Sequence, residues 1–419
     1  MGYIVSPMEG YVYKTKPYAH QADVLKVSWD KVNWAYFLEM GTGKSKVCID
    51  NAGILYECGE IDTFIVIAPK GVYRIWAEIE IPTHMPDRLD AEVVRWRPNP
   101  PAALKTALMS LAEPAEGFRV LIMNVEALST KKGQRFLASV LRASKALLAI
   151  DESTTIKSPR ASRTKALLKL APLAAYRRIL TGFPVTQSPM DLWAQCHFLD
   201  ETLLGECGDD FFHFQYRYAI INRRNVGSHS FNEVVGYRNL DELSGLLRNF
   251  SSRILKEECL DLPDKIYTRR NVSLSAEQER IYEELKRYAL AHIEDEEFMT
   301  TQNVLTQLLR MQQVLSGYTL SDSGEVIEIS DNRLNELMSC LEETDGKVII
   351  WRIAAAIVKK YGADKVVTYF GDTSDDDRSD ALAQFQHGDV RFFVGNPQTG
   401  GYGITLTAAR TMIYFANSF

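Results

Sequence analysis

Leu38-Glu-Met-Gly-Thr-Gly-Lys-Ser45 joins a β-type run, residues 32–38, to a helical pattern that begins at Lys44. A glycine turn in this position offers backbone N–H groups, one ammonium and one hydroxyl to phosphates and Mg²⁺. Leu38 stands where the full GxxxxGK(S/T) pattern has its first glycine, so an ordinary helix N-terminus is the alternative for this turn taken alone. The strand before the turn and the helix after it favour phosphate binding.

A second stretch supplies acidic groups. The apolar run at residues 146–150 predicts a strand, and Asp151-Glu152 follows it directly. At a strand end, one carboxylate can hold Mg²⁺ while the other orients or deprotonates a water molecule. An acidic pair on a surface loop is the alternative. Together with the glycine turn, the pair predicts a site that binds and hydrolyses a nucleoside triphosphate.

The order of apolar runs predicts an α/β fold. In the first part of the chain, helical patterns separate β-type runs at residues 63–68, 120–124, 146–150 and 178–180. This alternation is typical of a parallel sheet covered by helices, with ligands at the carboxyl ends of the strands, where Lys44 and Asp151 fall. From about residue 190 to 338 the β signal fades, and amphipathic patterns at 275–293 and 302–314 predict a helical middle.

A second α/β lobe is predicted after Gly346. Helical patterns there alternate with β-type runs at residues 347–351, 366–370, 390–394 and 412–415. We therefore expect two domains, residues 1–255 and 256–419, each with a helical insertion.

Composition excludes several classes of protein. The chain of 419 residues is 46% hydrophobic and 24% charged, and it shows no apolar run of about 18 residues and no signal-peptide pattern. We expect a cytoplasmic protein, in the host cytoplasm if the chain is viral. Its six cysteines form no C-x-x-C pair, which argues against a zinc module and a disulfide framework.

The net charge of −6 leaves nucleic-acid binding open, because such binding requires local positive charge. Basic clusters could line a phosphate track, although a solvated surface is the alternative for each of them. They include Lys131-Lys132, Arg177-Arg178, Arg223-Arg224 and Arg269-Arg270.

The order of these motifs resembles that of superfamily-two helicase motors, and most closely their Swi/Snf-like branch, which translocates on double-stranded DNA. The resemblance covers nearly the whole chain. In the first lobe, the matching segments are 17–21 (Q motif), 38–45 (motif I), 65–70 with Trp76 (motif Ia), 124–126 (motif Ib), 151–154 (DEAH-type motif II), and 180–185 with Asp191-Leu-Trp193 (motif III). The motif III segment is the most specific.

Further segments resemble the second lobe of that family: 252–263, 308–310, 371–385 and, as motif V, 400–409. The resemblance implies two RecA-like lobes with helical insertions. The sequence stops at Phe419, before the place of motif VI and its arginine fingers. An arginine finger contributes roughly 10³ to 10⁵ in turnover, so we expect a truncated second lobe that binds ATP but hydrolyses it poorly. The small size is similar to that of compact bacteriophage members.

The resemblance implies roles in binding ATP and Mg²⁺. Lys44 contacts the β- and γ-phosphates, Ser45 and Asp151 hold Mg²⁺, and Glu152 activates the attacking water. Further ATP contacts are implied for Gln21, which reads adenine, and for Gly41, Thr42, Gly43, Gly401 and Gly403.

The resemblance also implies roles in binding DNA for other residues. Thr181 and Gly182 couple the nucleotide state to DNA contact, and the candidates for contacts to the phosphate backbone are Lys70, Arg74, Asn124 and Lys157. The predicted function is an ATP-dependent DNA helicase or translocase that binds ATP and Mg²⁺ between its two lobes. The alternatives are an ATP-gated DNA clamp without efficient turnover and an RNA-directed helicase of the same superfamily.

Overall fold

The computed structural model describes residues 10–114, 116–226, 229–261, 263–294, 301–320, 325–329, 332–351, 355–371, 373–396, 404 and 406–415. The chain forms two compact units, Met1–Pro263 and Asp264–Phe419. The predicted division between residues 255 and 256 stays a prediction. Among the described residues, no helix is both long enough and apolar enough to cross a membrane.

The first unit is built on a parallel sheet that has seven strands within the described residues, in the order β3-β4-β2-β5-β6-β1-β9. The strands are β1 (Asn33–Leu38), β2 (Thr63–Ala68), β3 (Glu92–Arg95), β4 (Arg119–Asn124), β5 (Ala146–Asp151), β6 (Tyr176–Leu180) and β9 (Ser251–Ile254). Every residue of β2 and β5 is buried, because helices cover both faces of a parallel sheet. The predicted α/β class is confirmed.

Helices connect these strands. They are α1 (Ala19–Ser28), α2 (Lys44–Glu57), α3 (Tyr73–Ile75), α4 (Ile81–His84), α5 (Ala102–Ser110), α6 (Lys131–Ala143), α7 (Ser162–Leu170), α8 (Leu192–Leu199), α9 (Phe211–Tyr218), α10 (Leu240–Arg248) and α11 (Lys256–Cys259). A π-helix, Trp76–Glu80, lies between α3 and α4.

The predicted helical middle is partly wrong, because it also contains strands. An antiparallel hairpin joins β7 (Ala219–Val226) to β8 (His229–Tyr237), and β9 extends the main sheet by pairing in parallel with β1. The sequence of β9, Ser-Ser-Arg-Ile, has no β-type pattern, and its conformation depends on backbone pairing with a strand more than 200 residues earlier. Strand β3 also went unpredicted.

The second unit contains the predicted second lobe. Its parallel sheet has the order β13-β14-β12-β15. The strands are β12 (Lys347–Trp351), β13 (Val366–Tyr369), β14 (Phe392–Gly395) and β15 (Ala409–Tyr414), and a small antiparallel pair joins β10 (Tyr318–Leu320) to β11 (Val326–Glu328). The helices are α12 (Ala276–Glu294), α13 (Thr301–Leu315), α14 (Asn332–Glu343), α15 (Ala355–Tyr361) and α16 (Asp375–His387).

Both faces of this second sheet are covered. Val348 and Ile350 of β12 pack in one apolar cluster with Leu341, while Ile349 of the same strand packs in another with Phe385. Successive residues of a strand point to opposite faces, so the sheet separates two layers of core. The two-lobe architecture predicted from the motif order is confirmed.

Candidate active site

The sheet of the first unit brings three sequence motifs to one edge. Strands β5, β6 and β1 are neighbours, and they end at Asp151, Leu180 and Leu38. The carboxyl ends of parallel strands lie at the same edge, so the acidic pair, Thr181 and the glycine turn are adjacent.

The glycine turn depends on two residues with positive φ. Gly41 has φ 83° and Gly43 has φ 89°, in the left-handed region that favours glycine. The Thr42 carbonyl between them accepts a hydrogen bond from Gln21 Nε2 at 3.0 Å and lies 2.8 Å from His20 Nε2. A Cβ on Gly43 would lie 2.1 Å from Gln21 Nε2, so a side chain here would displace the Gln21 amide from the turn.

Gln21 braces the turn. Its Nε2 contacts the Thr42 carbonyl, and its Oε1 accepts a hydrogen bond from the Tyr18 backbone N–H at 3.0 Å. Each end of the amide keeps one further hydrogen or lone pair. The role of Gln21 in reading adenine stays a prediction, whereas its support of the turn follows directly from these contacts.

Asp151 is held by two donors. Its Oδ1 accepts from the Glu152 backbone N–H at 2.9 Å, and its Oδ2 accepts from the indole Nε1 of Trp76 at 2.8 Å. Burial raises the pKa of Asp151, and the Trp76 hydrogen bond and the Lys44 ammonium act in the opposite direction. These bonds fix the orientation of the carboxylate and leave one lone pair on each oxygen.

Glu152 occupies a conformation that non-glycine residues rarely adopt. Its φ of 46° and ψ of 60° are left-handed, and such strain persists where the surrounding structure enforces it. The side chain is buried, and Thr181 lies beside it. Burial and the Asp151 charge raise the pKa of Glu152, while Lys44 and Thr181 lower it.

The donor set fits a hard divalent cation. Asp151 and Glu152 place two buried carboxylates near one buried ammonium, that of Lys44, and like charges at a buried site are unfavourable without further positive charge. Ser45, on the first turn of α2, adds a hydroxyl. Carboxylate and hydroxyl oxygens are ligands that suit Mg²⁺.

The segment after β6 contacts the glycine turn and the acidic strand end. A Cβ on Gly182 would lie 3.2 Å from the Met40 backbone nitrogen, so this glycine permits close approach of two loops. Gln195 of α8 accepts a hydrogen bond from the Ser153 hydroxyl at 2.6 Å and donates one to the Pro184 carbonyl at 2.8 Å. Gln195 was not predicted, and its signal was a single amide within a helix whose other residues, apart from His197, are apolar.

The candidates for DNA contact lie near acidic partners. The Lys70 backbone N–H and the Asn124 side chain both donate to the Glu126 carboxylate, at 3.4 and 3.1 Å. Asn124 ends β4, Lys70 follows the neighbouring strand β2, and Lys70 is exposed. They therefore share one surface at the carboxyl edge of the sheet.

Arg74 and Lys157 are each in an ion pair. Arg74 Nε lies 2.7 Å from both carboxylate oxygens of Glu78, and Lys157 Nζ lies 3.4 Å from Asp191 Oδ2. Their contacts to DNA stay predictions. Gly401 and Gly403 lie outside the described residues.

The burial of Arg178 contradicts the prediction that this residue could line a phosphate track. The residue is fully buried, and its guanidinium donates to Asn51 Oδ1 at 2.9 Å. Further bonds run to the backbone carbonyls of Ser28, Lys31, Val32 and Arg177. Arg178 joins the middle of β6 to α2 and to the segment from Ser28 to Val32, which is a structural role.

The fold and the order of these motifs agree with the resemblance to Swi/Snf-like proteins. The chain belongs to the SNF2-related domain family, whose model matches residues 21–318.

The chain is similar to longer proteins. YwqA of Bacillus subtilis (strain 168) is 24% identical over 418 residues, which cover 92% of this chain and 42% of YwqA. The human protein named "DNA annealing helicase and endonuclease ZRANB3" is 24% identical over 396 residues, covering 90% of this chain and 33% of ZRANB3. The chain therefore spans less than half the length of these two relatives.

Solved structures also match. The Sulfolobus solfataricus SWI2/SNF2 ATPase core in complex with dsDNA has a TM-score of 0.47 and 22% identity, covering 98% of this chain and 84% of that one.

Proposed function

We propose that this chain is the motor of an ATP-dependent DNA helicase or translocase, with its nucleotide site at the glycine turn of the first unit. The observation that carries the proposal is the convergence of Lys44, Asp151 and Glu152 at one edge of the sheet. Membership in the SNF2-related family supports the substrate assignment, as does similarity to a protein whose name describes a DNA annealing helicase.

Each group at the site has a separate role in ATP binding and hydrolysis. The backbone N–H groups from Gly41 to Ser45 and the Lys44 ammonium bind the phosphates at the start of α2. Ser45 and Asp151 would hold Mg²⁺, which would supply positive charge to the phosphate oxygens. Glu152 orients the attacking water and accepts its proton, for which its raised pKa is suitable.

Coupling to DNA passes through the segment after β6. Thr181 lies beside Glu152, and Gly182 lies against the backbone that leads into the glycine turn. A shift of this segment would therefore move the water-orienting carboxylate and the phosphate loop together. On the same edge of the sheet, Lys70 and Asn124 are available for contacts to the DNA backbone.

ATP hydrolysis by the 419-residue chain, measured with and without duplex DNA, tests this proposal. We expect duplex DNA to stimulate hydrolysis and Lys44→Ala or Glu152→Gln to abolish it, because each variant removes a group that acts on the reacting phosphate or water. Lys145→Ala is the control, because Lys145 precedes β5 at the opposite edge of the sheet, where its ammonium pairs with Glu60. Hydrolysis that is insensitive to both variants would contradict the proposal.

Two outcomes would point to the alternatives. Nucleotide-dependent binding of DNA without turnover would indicate an ATP-gated clamp. Stronger stimulation by RNA than by duplex DNA, in competition at equal nucleotide concentration, would indicate an RNA-directed helicase.

A further inference from the structure

Trp76 reaches the acidic strand end from a separate element, the π-helix between α3 and α4. Its indole Nε1–H donates to Asp151 Oδ2 at 2.8 Å, and both side chains are buried. An indole nitrogen donates and cannot accept, whereas a carboxylate oxygen accepts through two lone pairs. The contact therefore turns Oδ2 toward Trp76 and leaves a second lone pair on that oxygen for another partner.

A wide helical turn places Trp76. The Trp76 N–H donates to the Val72 carbonyl at 3.2 Å, which is the ordinary α-helical spacing. The Trp76 carbonyl instead accepts from the Ile81 N–H, five residues later. Pro82 comes next, and in a regular helix a proline lacks the N–H and clashes with the carbonyl four residues before it, so a wide turn directly before Pro82 is expected. π-Turns of this kind are frequent at functional sites.

Packing also fixes the indole ring. Trp76 is fully buried, and its ring meets that of Phe64 edge to face, with the ring centroids 6.4 Å apart. Phe64 lies on β2, which pairs in parallel with β5, the strand that ends at Asp151. The indole donor and the carboxylate are therefore held by neighbouring strands of one rigid sheet.

We propose that Trp76 is a positioning residue that holds the Asp151 carboxylate in the orientation that binds Mg²⁺. This inference rests on the proposed function. Donation to Oδ2 draws some charge from the carboxylate, which disfavours a cation, but it also removes the cost of ordering the carboxylate when the cation binds. Hydrogen-bond partners of metal ligands typically raise metal affinity by about 10- to 100-fold, so the ordering effect is the larger one.

Trp34 provides a matched control. Its indole Nε1–H donates to the Ser252 hydroxyl at 3.0 Å, and its side chain is also buried. Ser252 lies on the edge strand β9, which β1 and β6 separate from β5. Replacing either tryptophan with phenylalanine removes a buried indole donor, but Trp34→Phe leaves the partner of Asp151 in place.

Calorimetric titration with ADP, in excess Mg²⁺ and separately in EDTA, tests the proposal without turnover. We expect Trp76→Phe to weaken binding by about tenfold in Mg²⁺ and to leave binding in EDTA unchanged, because the indole acts through a metal ligand. Trp34→Phe should match the wild type in both solutions. Once Asp151→Ala has removed the carboxylate, adding Trp76→Phe should have no further effect on binding in Mg²⁺.

The indole N–H resonance of Trp76 provides a readout that a purely structural role would not move. The chain has six tryptophans, and the Trp76 peak is the one that Trp76→Phe removes. If that variant does not fold, replacing the other tryptophans one at a time assigns the peak by elimination. Adding Mg²⁺ to the ADP complex should move the Trp76 proton upfield, because a cation on the carboxylate weakens it as a hydrogen-bond acceptor. The Trp34 peak should stay in place.

Several results would overturn this inference alone. They are equal losses of Trp76→Phe in Mg²⁺ and EDTA, wild-type affinity of Trp76→Phe in Mg²⁺, additive losses in the double variant, and a Trp76 peak that stays in place while Mg²⁺ tightens ADP binding. Equal ADP affinity of the wild type in Mg²⁺ and EDTA would overturn it too. Failure of the wild-type chain to bind ADP in either solution would overturn the proposed function as well.

Discussion

At Gly43 two separate constraints act on one residue. Its φ of 89° is unfavourable for any residue with a Cβ, and that Cβ would also collide with the Gln21 amide. Gln21 in turn donates a hydrogen bond to the Thr42 carbonyl. A side chain at Gly43 would therefore disturb both the turn and this hydrogen bond.

We expect Gly43→Ala to lower both the free energy of unfolding and the affinity for nucleotide. Gly59→Ala is the matched control, since Gly59 has φ 71° with no atom within 4 Å of an added Cβ. The control should lose roughly 1 kcal/mol from the left-handed conformation alone. Urea unfolding and ADP titration measure both quantities, and equal losses of stability in the two variants would contradict a collision with Gln21.

His84, at the end of α4, makes the free energy of unfolding depend on pH. Burial and the nearby Lys46 ammonium lower the pKa of His84 to about 4, and its Nδ1 lies 2.6 Å from the Thr15 hydroxyl. In the unfolded chain a histidine has a pKa of about 6.5. Because the folded-state pKa is the lower of the two, the unfolded chain binds a proton first as the pH falls, and the contribution to stability is lost between about pH 6.5 and 4.

We therefore expect the wild type to lose up to roughly 2 kcal/mol more than His84→Gln on going from pH 7 to pH 5. Urea unfolding at the two pH values measures the difference. His213→Gln is the control, because the His213 side chain is 69% exposed. The same loss in the wild type and His84→Gln would show that this histidine is not held neutral by the fold.

At the scale of elements, the sequence predicted those strands that are buried and whose own residues are apolar. The run Thr-Phe-Ile-Val-Ile-Ala of β2 is buried throughout, and its apolar character is sufficient to identify it. The residues of strand β9 and of the β7–β8 hairpin do not form such an apolar run. Strand β9 forms by backbone pairing with the distant strand β1, and β7 forms by pairing with the largely polar strand β8.

The same distinction applies to the site. Lys44, Asp151 and Glu152 belong to segments with a recognisable order, and the sequence placed them at strand ends. Gln195 is a single polar residue, and its position depends on packing between α8 and the loops around it. This packing does not appear in the local sequence pattern.

At the scale of the whole molecule, the glycine turn and the acidic pair both lie in the unit Met1–Pro263, whereas Gly401 and Gly403 belong to the other one. Hydrogen exchange can therefore test nucleotide contacts unit by unit. A ligand at 100 times its Kd stabilises the protein that binds it by about 2.7 kcal/mol, which slows exchange through the opened state by about 100-fold.

With a non-hydrolysable ATP analogue and Mg²⁺, we expect slower exchange in peptides that contain residues 41–45 and 151–152. If Gly401 and Gly403 also close on the nucleotide, peptides that contain residues 400–403 become protected at the same ligand concentration. Lys44→Ala should abolish protection in both units, because it removes the ammonium that binds the phosphates. Protection that persists in Lys44→Ala would place the nucleotide elsewhere, and protection confined to the first unit would contradict the predicted contacts of the two distant glycines.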